Sequence, residues 1–397
     1  MLDIWESVKE LEQEIISWRR QIHSNPELGY EEVETASFVS SLLCQWGLDV
    51  HEGVAGTSVV AMLKCEQEGP CVAIRADMDA LSVTEETGLP FASKIPGRMH
   101  ACGHDGHTAM LLGAAKALSK MRQSLKGTVK FIFQHAEECA PHGGAKALIE
   151  AGVMKNPDVE HVFALHLWPE VPYGKVGVKV GPLMAASDRL KIEIHGKGGH
   201  GAAPHQGIDA VVVSSQVISA LQTVVSRQVD PLEAVVVTIG TLNVGQRYNV
   251  IAPQGLMEGT VRTHNESVRR ELPGRITHLV DSVAAAFGAQ ATVSYERGYP
   301  VLFNHDIGVG MIIRAAQEVL GADATVKLER PSMGGEDFAY YLEHANGAMF
   351  WLGCKGPDSL GYPIHNAKFD FDESVLVRGT AVMVSVAVLA LGDVSHD

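Results

Sequence analysis

Residues 128–134 read TVKFIFQ, and residues 135–138, which follow directly, read HAEE. Four residues of the first run are apolar, and they do not alternate cleanly with polar ones, which predicts a strand that is buried on both faces. Similar runs predict further strands at 58–63, 72–74 and 161–166. Helical spacing at 107–119 and 145–151 falls between these strands. The alternation indicates an α/β fold, with a layered sheet and helices outside it.

The pattern changes at about residue 186. Strands and helices then follow in the order β-α-β-β-α-β, with strands at 190–195, 234–241, 256–263 and 291–296 and helices at 209–225 and 266–287. This is the order of a ferredoxin-like split unit, which is complete in itself. Helix-rich sequence resumes after it, so we predict an insertion. The predicted organisation is one discontinuous α/β domain, 1–185 and 298–397, and one inserted α+β domain, 186–297.

The composition disfavours several classes of partner. The 397-residue chain has 32 Lys and Arg against 47 Asp and Glu, which gives a net charge of −15. This balance argues against nucleic acid and anionic membranes and is more compatible with a metal ion. The longest apolar run, 381–391, is shorter than the ~18–20 residues of a membrane span. The N-terminus lacks the pattern of a secretory signal, so we expect a cytoplasmic protein.

The densest group of potential metal ligands is residues 99–107, MHACGHDGH. Cys102 and His104 are two residues apart, and the glycines near His104 give the backbone the freedom to bring both side chains to one point. A thiolate and an imidazole suit zinc or a similar borderline metal. The alternative is a polar loop with a free cysteine, since the six cysteines are scattered without a CxxC pair.

Three further stretches offer additional ligands. Glu137 and Glu138 follow the strand quoted above, at the end where α/β sheets gather their active groups. His166 ends another predicted strand, and His365 lies in a loop before the last predicted helix. Taken singly, a pair of glutamates such as Glu137 and Glu138 is usually a solvated surface feature, and His166 and His365 are better explained as core histidines. Taken together, five donors fit a two-metal site with one bridging ligand, for which the sulfur of Cys102 is a candidate: Cys102, His104, Glu138, His166 and His365.

In these motifs the chain resembles the M20 metallopeptidase and amidohydrolase family, in the branch of hippurate hydrolases, N-acyl-L-amino acid amidohydrolases and auxin-conjugate hydrolases. The matching stretches span nearly the whole chain: 19–28, 75–81, 100–107, 134–138, 166–169, 198–204, 259–262, 333–338 and 365–366. The resemblance implies a zinc-peptidase-like layered catalytic domain with an inserted ferredoxin-like lid or dimerisation domain. It also implies a homodimer or homotetramer.

The resemblance further implies roles for the candidate residues. The five donors become ligands of two divalent metal ions per subunit (Zn²⁺, Mn²⁺, Co²⁺ or Ni²⁺), with Cys102 as the bridge and Glu137 as the general base. A divalent metal lowers the pKa of water towards ~7, and a nearby carboxylate can take the proton and deliver it to the leaving amine. The implied reaction is hydrolysis of N-acyl amino acids of the acetyl or benzoyl type to a carboxylate and a free amino acid. A carboxypeptidase or dipeptidase that acts on short peptides through the same site is the alternative.

The chain departs from the wider family at residues 75–77, Arg-Ala-Asp. Other branches carry His-x-Asp there, and an aspartate at the position of Cys102. Arg75 is therefore not expected to bind metal. Asp77 either holds a ligating histidine by a hydrogen bond that fixes its tautomer, or pairs with Arg75 at the end of the strand.

The resemblance places four more positions near the substrate. His200 would stabilise the oxyanion, from its own or from a partner subunit. Asn249 and Arg262 resemble positions that hold the acyl or carboxylate end, and an arginine fork binds a carboxylate in a bidentate manner. Gly335, in the turn 334–338, would lie beside the substrate. The competing interpretations are a loop histidine, a turn asparagine and an exposed strand arginine without a functional role.

Two other classes of function are compatible with parts of the sequence. In a cysteine hydrolase, Cys102 would be the nucleophile and a nearby histidine the base. Glu137, Glu138 and His365 would then have no task. A metal-binding or regulatory protein would need no general base, so the presence of Glu137 argues against it.

Overall fold

A computed structural model describes residues 3–392 of the protein. The helices are α1 (Ile4–Lys9), α2 (Glu12–His23), α3 (Val33–Gln45), α4 (His104–Lys120), α5 (Ala145–Glu150), α6 (Ala210–Thr223), α7 (Glu266–Ala286), α8 (Asp306–Leu320), α9 (Ala339–Leu342) and α10 (Val375–Leu391). The strands are β1 (Asp49–Val54), β2 (Ser58–Lys64), β3 (Gln67–Asp77), β4 (Lys126–Gln134), β5 (Val159–Trp168), β6 (Val176–Val178), β7 (Gly181–Met184), β8 (Ala186–His195), β9 (Gly199–His200), β10 (Val235–Val244), β11 (Val250–Ile251), β12 (Gln254–Thr263), β13 (Gln290–Tyr299), β14 (Leu302–Asn304), β15 (Thr325–Lys327) and β16 (Asn346–Gly353).

The larger sheet has eight strands in the order β1-β2-β4-β3-β5-β16-β6-β15. Its central strands β4, β3, β5 and β16 run parallel to one another, so their carboxyl ends meet at one edge. The pairing register places Asp77 of β3 beside Gln134 of β4, and His166 of β5 beside Trp351 of β16. The polar residues that follow β4 therefore emerge next to the end of β3.

Helices cover both faces of this sheet. Phe131 of β4 faces a core cluster that includes residues of α4 and α10, and the next residue, Ile132, faces a second cluster with residues of α5 and α9. The prediction that this strand is buried on both faces is confirmed. Helix α10 approaches α4 so closely that a Cβ atom on Gly379 would lie 2.2 Å from Sδ of Met110, so a larger residue there would force the Met110 side chain to move.

The second sheet belongs to the unit between Ala186 and Tyr299. Its four antiparallel strands lie in the order β10-β12-β8-β13, which is the strand order of a ferredoxin-like fold. Helices α6 and α7 pack on this sheet around Ile192, Val217 and Ile276. The predicted fold class, an α/β layered domain with an inserted ferredoxin-like α+β domain, is confirmed.

Several elements differ from the sequence prediction. The apolar pattern also predicts helices over 4–22 and 337–344 and a strand over 348–352. In the structure the first helix is divided into α1 and α2, the second shortens to α9, and the strand lies within β16. Seven strands are absent from the prediction: β1, β6, β7, β9, β11, β14 and β15. Six of them have only two to four residues, and β1 is a mostly exposed edge strand, so none carries a clear periodic signal.

Among the described residues, one helical stretch, Ala210–Gln228, is long and apolar enough to cross a membrane by length and composition. It comprises α6 and the helical turn that follows. Its residues Val213, Val217 and Leu221 belong to the core of the inserted domain. In this fold the stretch therefore contributes to a domain core.

Candidate metal centre

The predicted ligands meet at the carboxyl edge of the larger sheet. They come from the start of α4, the turn after β4, the end of β5 and the loop before α10: Cys102, His104, Glu138, His166 and His365. Gly103, between the first two, has a φ of +89°, which glycine adopts without strain. This turn lets Cys102 and His104 face the same point, as the sequence predicts.

The ligand atoms form two overlapping groups of three. Within each group the atoms lie within 4.8 Å of one another, and the groups are Cys102–His104–His166 and Cys102–Glu138–His365. Sγ of Cys102 lies 3.4 Å from Nε2 of His166 and 3.3 Å from Nε2 of His365. Only Cys102 is common to both groups, so its sulfur lies within reach of the other four side chains.

Hydrogen bonds determine which atoms point at the centre. Nδ1 of His166 donates to the carbonyl oxygen of Leu167 at 2.7 Å, so Nε2 keeps the free lone pair. Oδ1 of Asp79 lies 3.3 Å from Nδ1 of His104, and Oδ2 of Asp79 accepts the amide of Glu138 at 2.8 Å. One carboxylate thereby orients a ligand from each group.

The donor set fits divalent cations. Nε2 of His104 and Oε1 of Glu138 are buried atoms with no hydrogen-bond partner among residues 3–392, an arrangement that is costly unless a ligand satisfies it. Nε2 of His365 lies 3.1 Å from that Oε1, but outside the angles of a hydrogen bond. Burial alone would lower the pKa of His104, yet Asp77, Asp79 and Glu138 together raise it to about 10. The centre therefore attracts positive charge.

Asp77 is hydrogen-bonded to residues outside the predicted ligand set. Its Oδ1 lies 2.7 Å from Nδ1 of His107, and its Oδ2 accepts from Nη1 of Arg75 at 2.6 Å. Nε2 of His104 is 3.7 Å away from Asp77. Asp79, rather than Asp77, lies at Nδ1 of His104, and Asp77 makes the pairing with Arg75 that the sequence analysis gave as the alternative.

His107 and Asp79 are the residues that the sequence analysis missed. Nε2 of His107 accepts the amide of Leu167 at 2.9 Å, so this imidazole links Asp77 to the chain beside His166. A signal for His107 was available, because it lies one helical turn after His104 on α4. No comparable signal marks Asp79, because the sequence does not show whether the carboxylate of Asp77 or that of Asp79 points at His104.

Glu137 lies next to the centre on a tight turn. Ala136 before it has a φ of +55°, in the left-handed region. The side chain of Glu137 is 7% exposed and lies in a group with His104 and Glu138 whose ligand atoms are within 4.8 Å of one another. Burial, followed by the carboxylates of Glu336 and Glu138, raises the pKa of Glu137 well above its usual range. Such a carboxylate holds a proton readily, as a general base in hydrolysis must.

A buried ionic network lies beside Glu137. Nη2 of Arg75 lies 3.1 Å from Oε1 of Glu336 and 2.7 Å from Oδ1 of Asp337. Asp337 also accepts two hydrogen bonds from Nε2 of Gln134. Arg75, which the sequence predicts not to bind metal, thus ties the 334–338 turn to the ends of β3 and β4.

The centre opens into a cavity of about 560 Å³. Part of its wall is apolar: Trp168, Met184, Val236, Met333 and Ile364. Arg262 of β12 and Gly335 line the same cavity. Nε of Arg262 donates to Oγ1 of Thr260 at 3.0 Å, and burial lowers the pKa of the guanidinium, which is typical of a cation without a close carboxylate partner. Arg262 is therefore placed to meet an anionic group in the cavity.

His200 and Asn249 are exposed and are not among the residues that line this cavity. His200 of β9 pairs with Val250 of β11, and the amide of Gly201 donates to the carbonyl of Asn249 at 2.9 Å. The neighbouring Tyr248 is 97% exposed. The structure thus brings His200 and Asn249 to each other, on the surface of the inserted domain.

Comparisons with known proteins agree with this geometry. The family model described as Peptidase family M20/M25/M40 matches residues 73–388. The N-acyl-L-amino acid amidohydrolase of Geobacillus stearothermophilus is 47% identical over 301 residues, which cover 76% of this chain and 80% of that protein. Thermostable carboxypeptidase 2 of Saccharolobus solfataricus is 40% identical over 385 residues, 96% of each chain. A Bacillus subtilis crystal structure, described as a dinuclear metal binding peptidase from the M20 family, has a TM-score of 0.83 and 38% identity over 96% of this chain and 99% of that chain. This chain belongs to peptidase family M20/M25/M40.

Proposed function

We propose that the protein is a metal-dependent amidohydrolase that cleaves N-acyl amino acids to a carboxylate and a free amino acid. The observation that carries the proposal is the pair of ligand groups that share Cys102, with Glu137 beside them. The 47% identical relative that is named for this activity supports it. Two ions drawn from Zn²⁺, Mn²⁺, Co²⁺ or Ni²⁺ would be held by the five side chains: Cys102, His104, Glu138, His166 and His365.

The buried carboxylate of Glu137 accounts for the proton transfers. Bound divalent cations would lower the pKa of water and polarise the scissile carbonyl. Glu137 accepts one proton from the attacking water and passes it to the leaving amine nitrogen. One C–O bond forms and the amide C–N bond breaks, and the carboxylate of Glu137 is regenerated.

The cavity wall suggests how the substrate is held. Arg262 binds the free carboxylate of the amino-acid part, because its fork matches a carboxylate. A Cβ atom on Gly335 would lie 2.9 Å from Nη1 of Arg262, so a larger residue there would crowd the guanidinium. The apolar side chains of Trp168, Met333 and Ile364 contact the apolar part of the substrate.

His200 and Asn249 act in a homodimer or a homotetramer under this proposal. Their exposure and their position outside the cavity of their own chain support a role at the centre of a partner subunit. There, His200 would donate to the oxyanion that develops on the scissile carbonyl.

A carboxypeptidase or dipeptidase is the second candidate. The Saccharolobus solfataricus relative is named a carboxypeptidase and is 40% identical. Arg262 serves this activity equally well, since a peptide C-terminus presents the same carboxylate as an acylated amino acid.

The test is a panel of acetyl, benzoyl, indolylacetyl and succinyl amino acids, together with dipeptides, assayed on metal-replete protein. We expect hydrolysis of acyl amino acids that a chelator abolishes and that Zn²⁺, Mn²⁺, Co²⁺ or Ni²⁺ restores. Thiol alkylation cannot serve as the test, because a ligand cysteine would be blocked too. Full activity without metal would end the proposal and favour Cys102 as a nucleophile, and faster cleavage of dipeptides would favour the second candidate.

A further inference from the structure

We infer that Glu32 is a positioning residue for the reaction: its carboxylate holds the backbone turn that presents both Glu137 and Glu138. Glu32 lies outside the cavity and immediately before α3. The inference rests on the proposed function, because it takes Glu137 as the base and Glu138 as a ligand.

The contacts of Glu32 lead directly to the turn. Glu32 is 0% exposed, and its Oε1 accepts the backbone amide of Ala136 at 2.8 Å. Its Oε2 accepts the hydroxyl of Thr57, which fixes the orientation of the carboxylate. The interaction joins residues 104 positions apart in the chain. Glu32 therefore acts on the backbone just before Glu137.

Ala136 needs such support for two reasons. Its φ of +55° is a conformation that a residue with a Cβ atom adopts only at a cost in energy. Ala136 is also fully buried, so its amide would lack a partner without the carboxylate of Glu32. Loss of Glu32 is expected to let Ala136 relax towards negative φ, which would turn Glu137 and Glu138 away from the centre.

Neighbouring contacts show that the turn is held by other parts of the fold as well. A Cβ atom on Gly29 would lie 3.1 Å from Cα of Ala136, so the chain before Glu32 packs directly on the turn. After the turn, the hydroxyl of Tyr299 donates to the carbonyl of Glu137 at 2.6 Å. The carboxylate of Glu32 is the support that reaches the amide of Ala136 itself.

The experiment compares Glu32→Ala, Glu32→Gln and the double variant Glu32→Ala/Ala136→Gly with the wild type and with Ala136→Gly. Glycine adopts positive φ without strain, so a glycine at position 136 should keep the turn in place without the hydrogen bond from Glu32. Glu31→Ala is the matched control, because Glu31 is an exposed neighbour that pairs with Arg98.

We expect Glu32→Ala to lower kcat by about tenfold or more, since a buried amide loses its only carboxylate acceptor. KM should change less than about twofold, because Arg262 and the apolar wall are untouched. Glu32→Gln keeps an acceptor oxygen and should stay within about threefold of the wild type. The double variant should recover most of the activity of Ala136→Gly. A purely structural role for Glu32 would not be rescued at residue 136.

Calorimetric titration with Zn²⁺ gives a second measurement that does not depend on catalysis. Glu138 is presented by the same turn, so Glu32→Ala should weaken Zn²⁺ binding about tenfold, and Ala136→Gly should restore it. This result holds even if the acyl-amino-acid panel shows no hydrolysis and the proposed function fails. Unchanged kcat and Zn²⁺ affinity in Glu32→Ala, or a double variant as impaired as Glu32→Ala, would overturn the inference.

Discussion

Replacing Glu137 with glutamine removes the proton acceptor while keeping the size of the side chain and one acceptor oxygen. Glu137 lies beside the five predicted ligands but is not one of them, so the variant should keep its metal. A positioned general base contributes typically ~10²–10⁴-fold to the rate, which corresponds to about 3–5 kcal/mol of activation free energy. We expect kcat to fall by that factor.

The surroundings of Glu137 also predict how the stability of this variant changes. Burial and the carboxylates of Glu336 and Glu138 raise the pKa of Glu137, so its ionised form is unfavourable in the folded protein. A neutral amide removes that repulsion. The thermal midpoint of Glu137→Gln, measured without metal, should therefore be equal to or higher than that of the wild type.

The assay combines three measurements on the same preparation: kcat on the best acyl amino acid, metal content per subunit and the thermal midpoint. Glu138→Gln is the comparison variant, because it loses a ligand oxygen and should lose metal affinity as well as activity. Glu137→Gln that retains its activity at full metal occupancy would refute the assignment of the base. Loss of metal from Glu137→Gln would show that Glu137 is a ligand instead.

Three further predictions address other parts of the site. Arg262→Ala should raise KM for substrates with a free carboxylate by about 10–100-fold, because a charge-assisted hydrogen bond is lost. KM for the matching carboxamides should stay nearly unchanged. Equal increases in KM for both kinds of substrate would place Arg262 outside carboxylate recognition. Mixing His200→Ala protomers with Glu137→Gln protomers should restore part of the activity, and no complementation would place His200 in its own subunit's site or outside catalysis. Burial raises the pKa of Glu32 to about 7, so the folded state binds the proton more tightly than the unfolded state and stability falls as pH rises from about 4.5 to 7. Glu32→Gln does not titrate, so between pH 5 and pH 8 it should lose roughly 2.5 kcal/mol less unfolding free energy than the wild type, as denaturant titrations would show. Parallel losses in the two proteins would contradict the raised pKa.

The fold was predictable where apolar pattern and element length agree. The run at residues 128–134 lies within β4, and the β-α-β-β-α-β order of the inserted domain is found. Short strands such as β6 and β15 were not predictable, because three residues have no period and these strands form only by pairing with their neighbours in the sheet: β15 pairs with β6, and β6 also pairs with β16.

The residues that form the ligand set were predictable from the sequence, but the residues that orient them by hydrogen bonds were not. Spacing around Cys102 and the ends of predicted strands indicate five donors, and the structure brings them within reach of one another. The choice of Asp79 over Asp77 depends on side-chain direction at the end of β3, which no sequence pattern encodes. Likewise, the bond from Glu32 to Ala136 exists only because two distant turns pack together.

The position of β16 has a consequence for how the chain is made. This strand lies between β5 and β6 in the sheet, yet the ribosome synthesises it only after the whole inserted domain. Until then the nascent sheet lacks a strand between β5 and β6, and unpaired backbone groups and apolar side chains flank the gap. The inserted domain, which contains all four strands of its own sheet, can complete its core first. Chains that stop short of residue 346 are therefore expected to aggregate or to engage chaperones, since the sheet that carries the ligands closes last.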